Sequence, residues 1–222
     1  MSRKMILYVI LAVMVIAGGG GGYYFWYQGS HFVKSEDARI AGDIYRVMPR
    51  ISGKIISLPM SEGDTVVKDQ IVGQQDISNL ATSSLDNATL RSPISGTVIK
   101  TLAKEGEVAS PGQPVAMIVD MNQLYVSTNI EETEINRIRI GETVEFSVDT
   151  FPEYTFLGKV MEIGEATNST FSLLPAMSTS GNFTKVTQRI PVKISIEDDQ
   201  GVPLSPGMSS VIKIHVKGNE GA

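Results

Sequence analysis

The sequence predicts a mainly β protein, with two small β units in tandem behind one apolar helix. Three observations carry this reading. An uncharged run extends from Met5 to Tyr27, a glycine-centred motif returns downstream at a fixed spacing, and the carboxy-terminal part alternates apolar with polar residues around one short helical stretch.

Composition narrows the function classes before any motif is read. A chain of 222 residues can hold a sizeable core and one or two domains. Its net charge of −5, with lysines and arginines scattered, leaves no basic footprint for nucleic acid. The absence of cysteine excludes disulfides, thiolate metal sites and a cysteine nucleophile. His31 and His215, the only histidines, have no carboxylate or second histidine at ligand spacing, so no metal site is expected.

Ser2-Arg3-Lys4 is a short basic start, and the run from Met5 to Tyr27 follows it without a charge. As a helix rising about 1.5 Å per residue, the run reaches about 35 Å, enough to cross the hydrocarbon core of a bilayer. Residues 1–28 therefore read as a cytoplasmic start and a transmembrane helix. Arg3 and Lys4 precede the run while Glu36 and Asp37 follow it, which places the amino terminus in the cytoplasm and the bulk of the chain outside. Met5 opens this anchor, and Tyr23, Trp26 and Tyr27 close it with amphipathic rings suited to the headgroup level. A signal peptide cleaved after Ala17 is the rival reading, weakened by the apolar aromatic block that would then begin the mature chain. The glycines around Gly20 (Gly18 to Gly22) form either a face for close packing against a partner membrane protein or a frayed helix end.

Residues 29–46 read as a polar connector. Beyond it Ser52-Gly53-Lys54-Ile55-Ile56 returns as Ser95-Gly96-Thr97-Val98-Ile99, and Glu62-Gly63-Asp64 as Glu105-Gly106-Glu107, at one offset of 43 residues (Gly53 to Gly96). Gln70 with Gln113 and Val72 with Val115 keep the same offset. A spacing held this long, and most strictly at glycine, marks a duplicated β unit. The halves are 48–76 and 92–120, joined by 77–91, in a domain spanning 47–120. Gly53 and Gly96 open turns into β-branched strands, while Gly63 and Gly106 sit in second turns where a positive φ suits glycine. A two-stranded ribbon is marginal alone in water, so the halves should interlock.

After Asp120 the pattern changes, and residues 121–217 read as a second domain with 218–222 as a tail. Leu124 to Ile130 alternates as a half-buried strand, and Glu131 to Arg139 reads as a short helix, acidic in its first turn, basic in its last and stopped by Gly141. Glu142 to Val148, Thr155 to Ile163, Lys185 to Ile196 and Ser209 to Val216 are further strands, with Pro206-Gly207 as the turn into the last. Five or so strands with one short helix predict a small β-barrel, closed to remove its edges. The long loop 164–184 carries apolar residues that fit disorder poorly; Phe171, Leu173, Leu174 and Pro175 cap the barrel, meet a partner or subunit, or do both.

At this point the residues carry a family resemblance. The paired Ser-Gly and Glu-Gly-Asp/Glu halves resemble the interlocking halves of a lipoyl or biotinyl domain, a barrel-sandwich hybrid. Arg91-Ser92-Pro93-Ile94-Ser95-Gly96-Thr97-Val98 looks like the start of the second half in membrane fusion proteins of the HlyD type. Gly141-Glu142-Thr143-Val144 and Leu204-Ser205-Pro206-Gly207-Met208 look like the barrel of the same family. Gly164 to Ile196, with Thr170-Phe171-Ser172-Leu173-Leu174-Pro175-Ala176 and Gln188-Arg189-Ile190-Pro191-Val192, is similar to the EmrA branch. The resemblance implies a membrane-anchored adaptor of an efflux system, assembled as a homo-oligomer with an integral membrane exporter of the major facilitator superfamily.

Two departures qualify it. Lipoyl and biotinyl carriers present a lysine between the halves, whereas 77–91 contains none, so no cofactor is expected. Many family members carry a long coiled-coil hairpin at this junction, and 77–91 is too short for two helices of several heptads, which removes direct docking to an outer-membrane channel. A carrier subunit of an enzyme and a membrane-tethered envelope scaffold are the alternatives. No catalytic constellation supports an enzyme: Gly18 to Gly22 lacks the lysine and hydroxyl residue of a phosphate loop, and no histidine lies near a serine motif.

Overall fold

The computed structural model describes residues 3–76, 86–167 and 187–216; the side chains of residues 3–12, 25, 26 and 28 lie outside that description. The chain divides into two compact units, one made of residues 1–40 and 126–222 and the other of residues 41–125.

The first unit opens with helix α1 (Arg3–His31), which runs directly into strand β1 (Phe32–Ala41). Among the described residues no helix is long and apolar enough to cross a membrane. The expectation of a transmembrane helix therefore meets a helix in the right place whose described part does not qualify. Its described side chains begin at Val13 and include the five glycines Gly18 to Gly22, which have no side chain to offer lipid. The connector expected over 29–46 is also replaced by ordered structure. Phe32–Ala41 alternates with Val33, Ala38 and Ile40 buried, and it is a barrel strand.

The second unit holds β2 (Ile44–Val47), β3 (Gly53–Ser57), β4 (Thr65–Val66), β5 (Ile71–Gln75), β6 (Thr89–Arg91), β7 (Gly96–Thr101), β8 (Val108–Ala109) and β9 (Ala116–Val119). They form two four-stranded sheets, ordered β2-β9-β7-β4 and β6-β5-β3-β8. The sheets enclose a core of Val47, Ile55, Val66, Val72, Leu90, Val98, Val115 and Ile118 with their neighbours. Strand β6 lies inside the junction expected over 77–91, and residues 77–85 of that junction lie outside the described residues.

The chain returns to the first unit through β10 (Tyr125–Glu131), α2 (Glu132–Ile135), β11 (Thr143–Val148), β12 (Phe151–Ile163), β13 (Arg189–Ile196) and β14 (Ser209–His215). With β1 these strands close a barrel in the order β1-β10-β13-β12-β11-β14. Closure leaves no free sheet edge, as the sequence predicts, but the sixth strand comes from before the repeat. Phe146 stands opposite both Phe156 and Ile212, and its ring stacks on Phe156 at 5.2 Å between centroids. Such a pair contributes about 0.5–1.5 kcal/mol beyond its area burial. The helix expected over Glu131–Arg139 is limited to Glu132–Ile135; Ile138 then turns inward and is buried, seating the segment in the barrel.

Candidate functional site

The repeat is a reciprocal exchange between its halves. Ile55 N–H donates to the Glu107 carbonyl at 2.8 Å and Gly106 N–H to the Ile55 carbonyl at 2.8 Å. The same pair of bonds recurs 43 residues away: Val98 N–H to Asp64 at 2.9 Å, and Gly63 N–H to Val98 at 2.8 Å. Strand pairing obeys the same rule, since Gly53 opposes Ala109 while Gly96 opposes Val66, and Val47 opposes Ala116 while Leu90 opposes Gly73. The last two pairs carry the duplication upstream of the expected halves, to β2 and β6. Each sheet thus takes two strands from each half, and neither half has a sheet of its own.

The turns repeat in detail as well. Gly63 and Gly106 hold φ of +95° and +92°, in the left-handed region where a side chain is strained. The preceding glutamates reach across to the other half: Glu62 Oε1 accepts from Thr101 N–H at 3.1 Å, and Glu105 Oε1 accepts from Leu58 N–H at 2.8 Å. Gly53 and Gly96 begin strands instead of forming turns, and their surroundings differ. A Cβ at Gly96 would stand 2.4 Å from the Val119 carbonyl oxygen, whereas one at Gly53 would first meet Gln75 Cβ at 3.4 Å. Gln75, fully buried, replaces the apolar residue that the second half has at Ile118. Its Nε2 donates to the carbonyls of Ile51, Gly53 and Ala109 at 3.1–3.2 Å.

The barrel wall carries a cleft of about 740 Å³ lined by Lys34, Asp37, Asn129, Glu131, Glu134 and Arg189 among others. Asp37 Oδ2 takes Arg189 Nη1 at 2.7 Å and Asn129 Nδ2 at 3.1 Å, so Asp37 and Arg189 neutralise each other. Among the described residues no group of three metal-ligating side chains converges. Among the described residues the arrangement offers shape and hydrogen-bonded rigidity.

On α1, Tyr23 and Tyr27 are exposed, with rings 6.3 Å apart, and Tyr27 stacks on His31 at 4.2 Å. Among the described residues, no atom lies within 4 Å of a Cβ added at Gly20 or at its neighbours Gly18 to Gly22, so none of them packs on that face. Met5 and Trp26 belong to α1, with side chains outside the described residues. Phe171, Leu173, Leu174 and Pro175 lie outside the described residues altogether.

Residues 43–121 match the family model for the RND MFP barrel-sandwich hybrid domain, and residues 123–215 match that for the AAEA-like β-barrel domain. YhbJ of Bacillus subtilis, named as an efflux system component, is 39% identical over 191 residues, covering 84% of this chain and 81% of that one. The chain is a membrane fusion protein. The multidrug export protein EmrA of Escherichia coli is 32% identical over 162 residues, which cover 71% of this membrane fusion protein and 42% of EmrA. The chain thus spans under half the length of that relative. In fold it is similar to the periplasmic adaptor protein EmrA (TM-score 0.55, 15% identity, covering 84% of this chain and 99% of that one). It is likewise similar to the membrane fusion protein Spr0693 of Streptococcus pneumoniae (TM-score 0.62, 14% identity, 84% and 99%).

Proposed function

We propose that this membrane fusion protein is the adaptor subunit of a drug or small-molecule efflux system. It assembles as a homo-oligomer with an integral membrane exporter of the major facilitator class and acts without catalysis. The observation that carries this reading is the 39% identity to an efflux component across 81% of that protein's length. The EmrA relatives, named for multidrug export, support the major facilitator class through the resemblance of Gly164 to Ile196 to that branch.

The uncharged run from Met5 to Tyr27 supports a single-pass anchor with a cytoplasmic amino terminus, in which Met5, Gly20, Tyr23, Trp26 and Tyr27 sit within the bilayer or at its outer face. The junction 77–91 offers no lysine for a lipoyl or biotinyl group, which disfavours a carrier role. It is also too short for a channel-docking hairpin, so this chain does not itself engage an outer-membrane channel. Phe171, Leu173, Leu174 and Pro175 are the contact to the exporter or to a neighbouring subunit.

Co-purification from detergent extracts after mild cross-linking tests the proposal. A polytopic exporter should accompany the full chain, and its recovery should fall when residues 170–176 are deleted from a protein that still folds. Recovery of the chain alone would refute the adaptor reading in favour of an envelope scaffold.

A further inference from the structure

The carboxy-terminal end of α1 is closed by groups of the barrel. An α-helix leaves its last four carbonyls without donors of its own. Here Arg137 Nη2 donates to the Gly29 carbonyl at 2.6 Å and to the Ser30 carbonyl at 3.0 Å. Val216 N–H donates to the His31 carbonyl at 3.0 Å. Three successive carbonyls at the helix end are thus held by residues more than a hundred positions away in sequence.

The groups that make this closure are themselves fixed. Glu134 pairs with Arg137 Nη1 from α2, and Glu132 N–H donates to the Gln188 carbonyl at 2.9 Å. Ile138, next to Arg137, is buried. On the other side of the joint Phe32 begins β1 directly after His31 and pairs in register with His215. The His215 ring meets Phe32 edge-on at 4.9 Å, and Lys213 Nζ lies 4.0 Å from the Phe32 ring centroid. An exposed Arg–Glu pair alone would contribute little. The planar guanidinium holds Glu134 through Nη1 and both helix-end carbonyls through Nη2, which adds direction, and its charge suits the negative end of the helix dipole. Gly29-Ser30 is also where the backbone would most easily hinge, because Gly29 carries no Cβ.

We propose that Arg137 is a positioning residue that locks the direction of α1 against the barrel, so the two move as one body. A tilt of the helix is then passed to the barrel without a hinge. That this tilt is imposed by a membrane or an exporter rests on the proposed function; the lock itself does not.

The chain has no cysteine, so spin labels can be placed by Tyr23→Cys on α1 and Leu157→Cys on β12, both exposed positions. Pulsed distance measurement on the full chain in detergent should give one narrow population. Arg137→Ala should broaden it, and Arg137→Lys, which keeps the charge but has a single nitrogen to serve both Glu134 and the helix-end carbonyls, should broaden it as well. Arg139→Ala should leave it narrow, since among the described residues the Arg139 guanidinium reaches the Asn136 and Ile138 carbonyls and not the end of α1. A broad population in the parent, or a width unchanged in both Arg137 variants, overturns the proposal. If Arg137→Ala loses the β signal in circular dichroism, Arg137→Lys decides by the same criterion. Membrane fractionation of the parent separates this from the anchor reading: a soluble chain with a narrow distance population defeats the anchor and leaves the lock standing.

Discussion

Alanine at the two equivalent glycines, Gly53 and Gly96, should have unequal effects, and the difference follows from what each backbone faces. A Cβ at Gly96 meets the Val119 carbonyl oxygen at 2.4 Å and the carbonyl carbon at 2.9 Å, both backbone atoms of β9. Strand β9 cannot yield easily, because Thr97 opposes Val119 and Val98 opposes Ile118 in the same ladder. Restoring ordinary contact requires β7 and β9 to part by about 1 Å, enough to weaken the adjoining hydrogen bonds. Overpacking together with a lost bond should cost about 3 kcal/mol. At Gly53 the nearest atom, Gln75 Cβ at 3.4 Å, is at ordinary contact distance. There alanine also restricts the unfolded chain, so the net change should stay within about 1 kcal/mol of zero. Urea unfolding of the full chain, followed by far-UV circular dichroism, reads both. With a slope typical of small domains, Gly96→Ala should lower the midpoint by roughly 1–2 M and Gly53→Ala by much less. Equal shifts for the two variants would refute the reasoning, as would a Gly96→Ala protein as stable as the parent.

Two further substitutions probe the same unit. Gln75→Ile copies the residue found at the equivalent Ile118, yet it removes the donor shared by three carbonyls and should cost about 1–3 kcal/mol; a more stable variant would mean those carbonyls find other donors. Glu105→Ala should lose about 1 kcal/mol by leaving Leu58 N–H without its acceptor, while Glu105→Gln retains an oxygen there and should lose less. Equal losses in the same unfolding assay would show that charge, and not acceptance, is what matters.

Much of the second unit was legible because its turns are chemically costly to change. Gly63 and Gly106 need a positive φ, and the acidic residues around them cap turns and cross to the other half, so both copies keep Glu-Gly followed by an acidic residue. Upstream the duplication is hidden, because Ile44-Tyr45-Arg46-Val47 and Asn87-Ala88-Thr89-Leu90 share only the burial of their last residue and their place in the ladder. The first barrel strand was missed for a different reason. Phe32–Ala41 carries four charges within ten residues, and its partner strand β14 lies at the far end of the chain. Arg137 reads in the sequence as a basic residue in the last turn of its own short helix. Only the fold places its guanidinium on the end of α1, 108 residues from Gly29.

The sequence by itself determined that the chain is mainly β, that one unit is a duplication, and that no cofactor lysine stands at its junction. Those properties are local: period, turn chemistry and the presence or absence of a residue type can all be read along the chain. The tertiary structure decided what depends on distant partners. It set which strands each half exchanges, which strand closes the barrel, and which side chain holds the end of α1. Pairing across long separations leaves no periodic trace in sequence, because a strand fits a ladder by burial and backbone register more than by the identity of its neighbours.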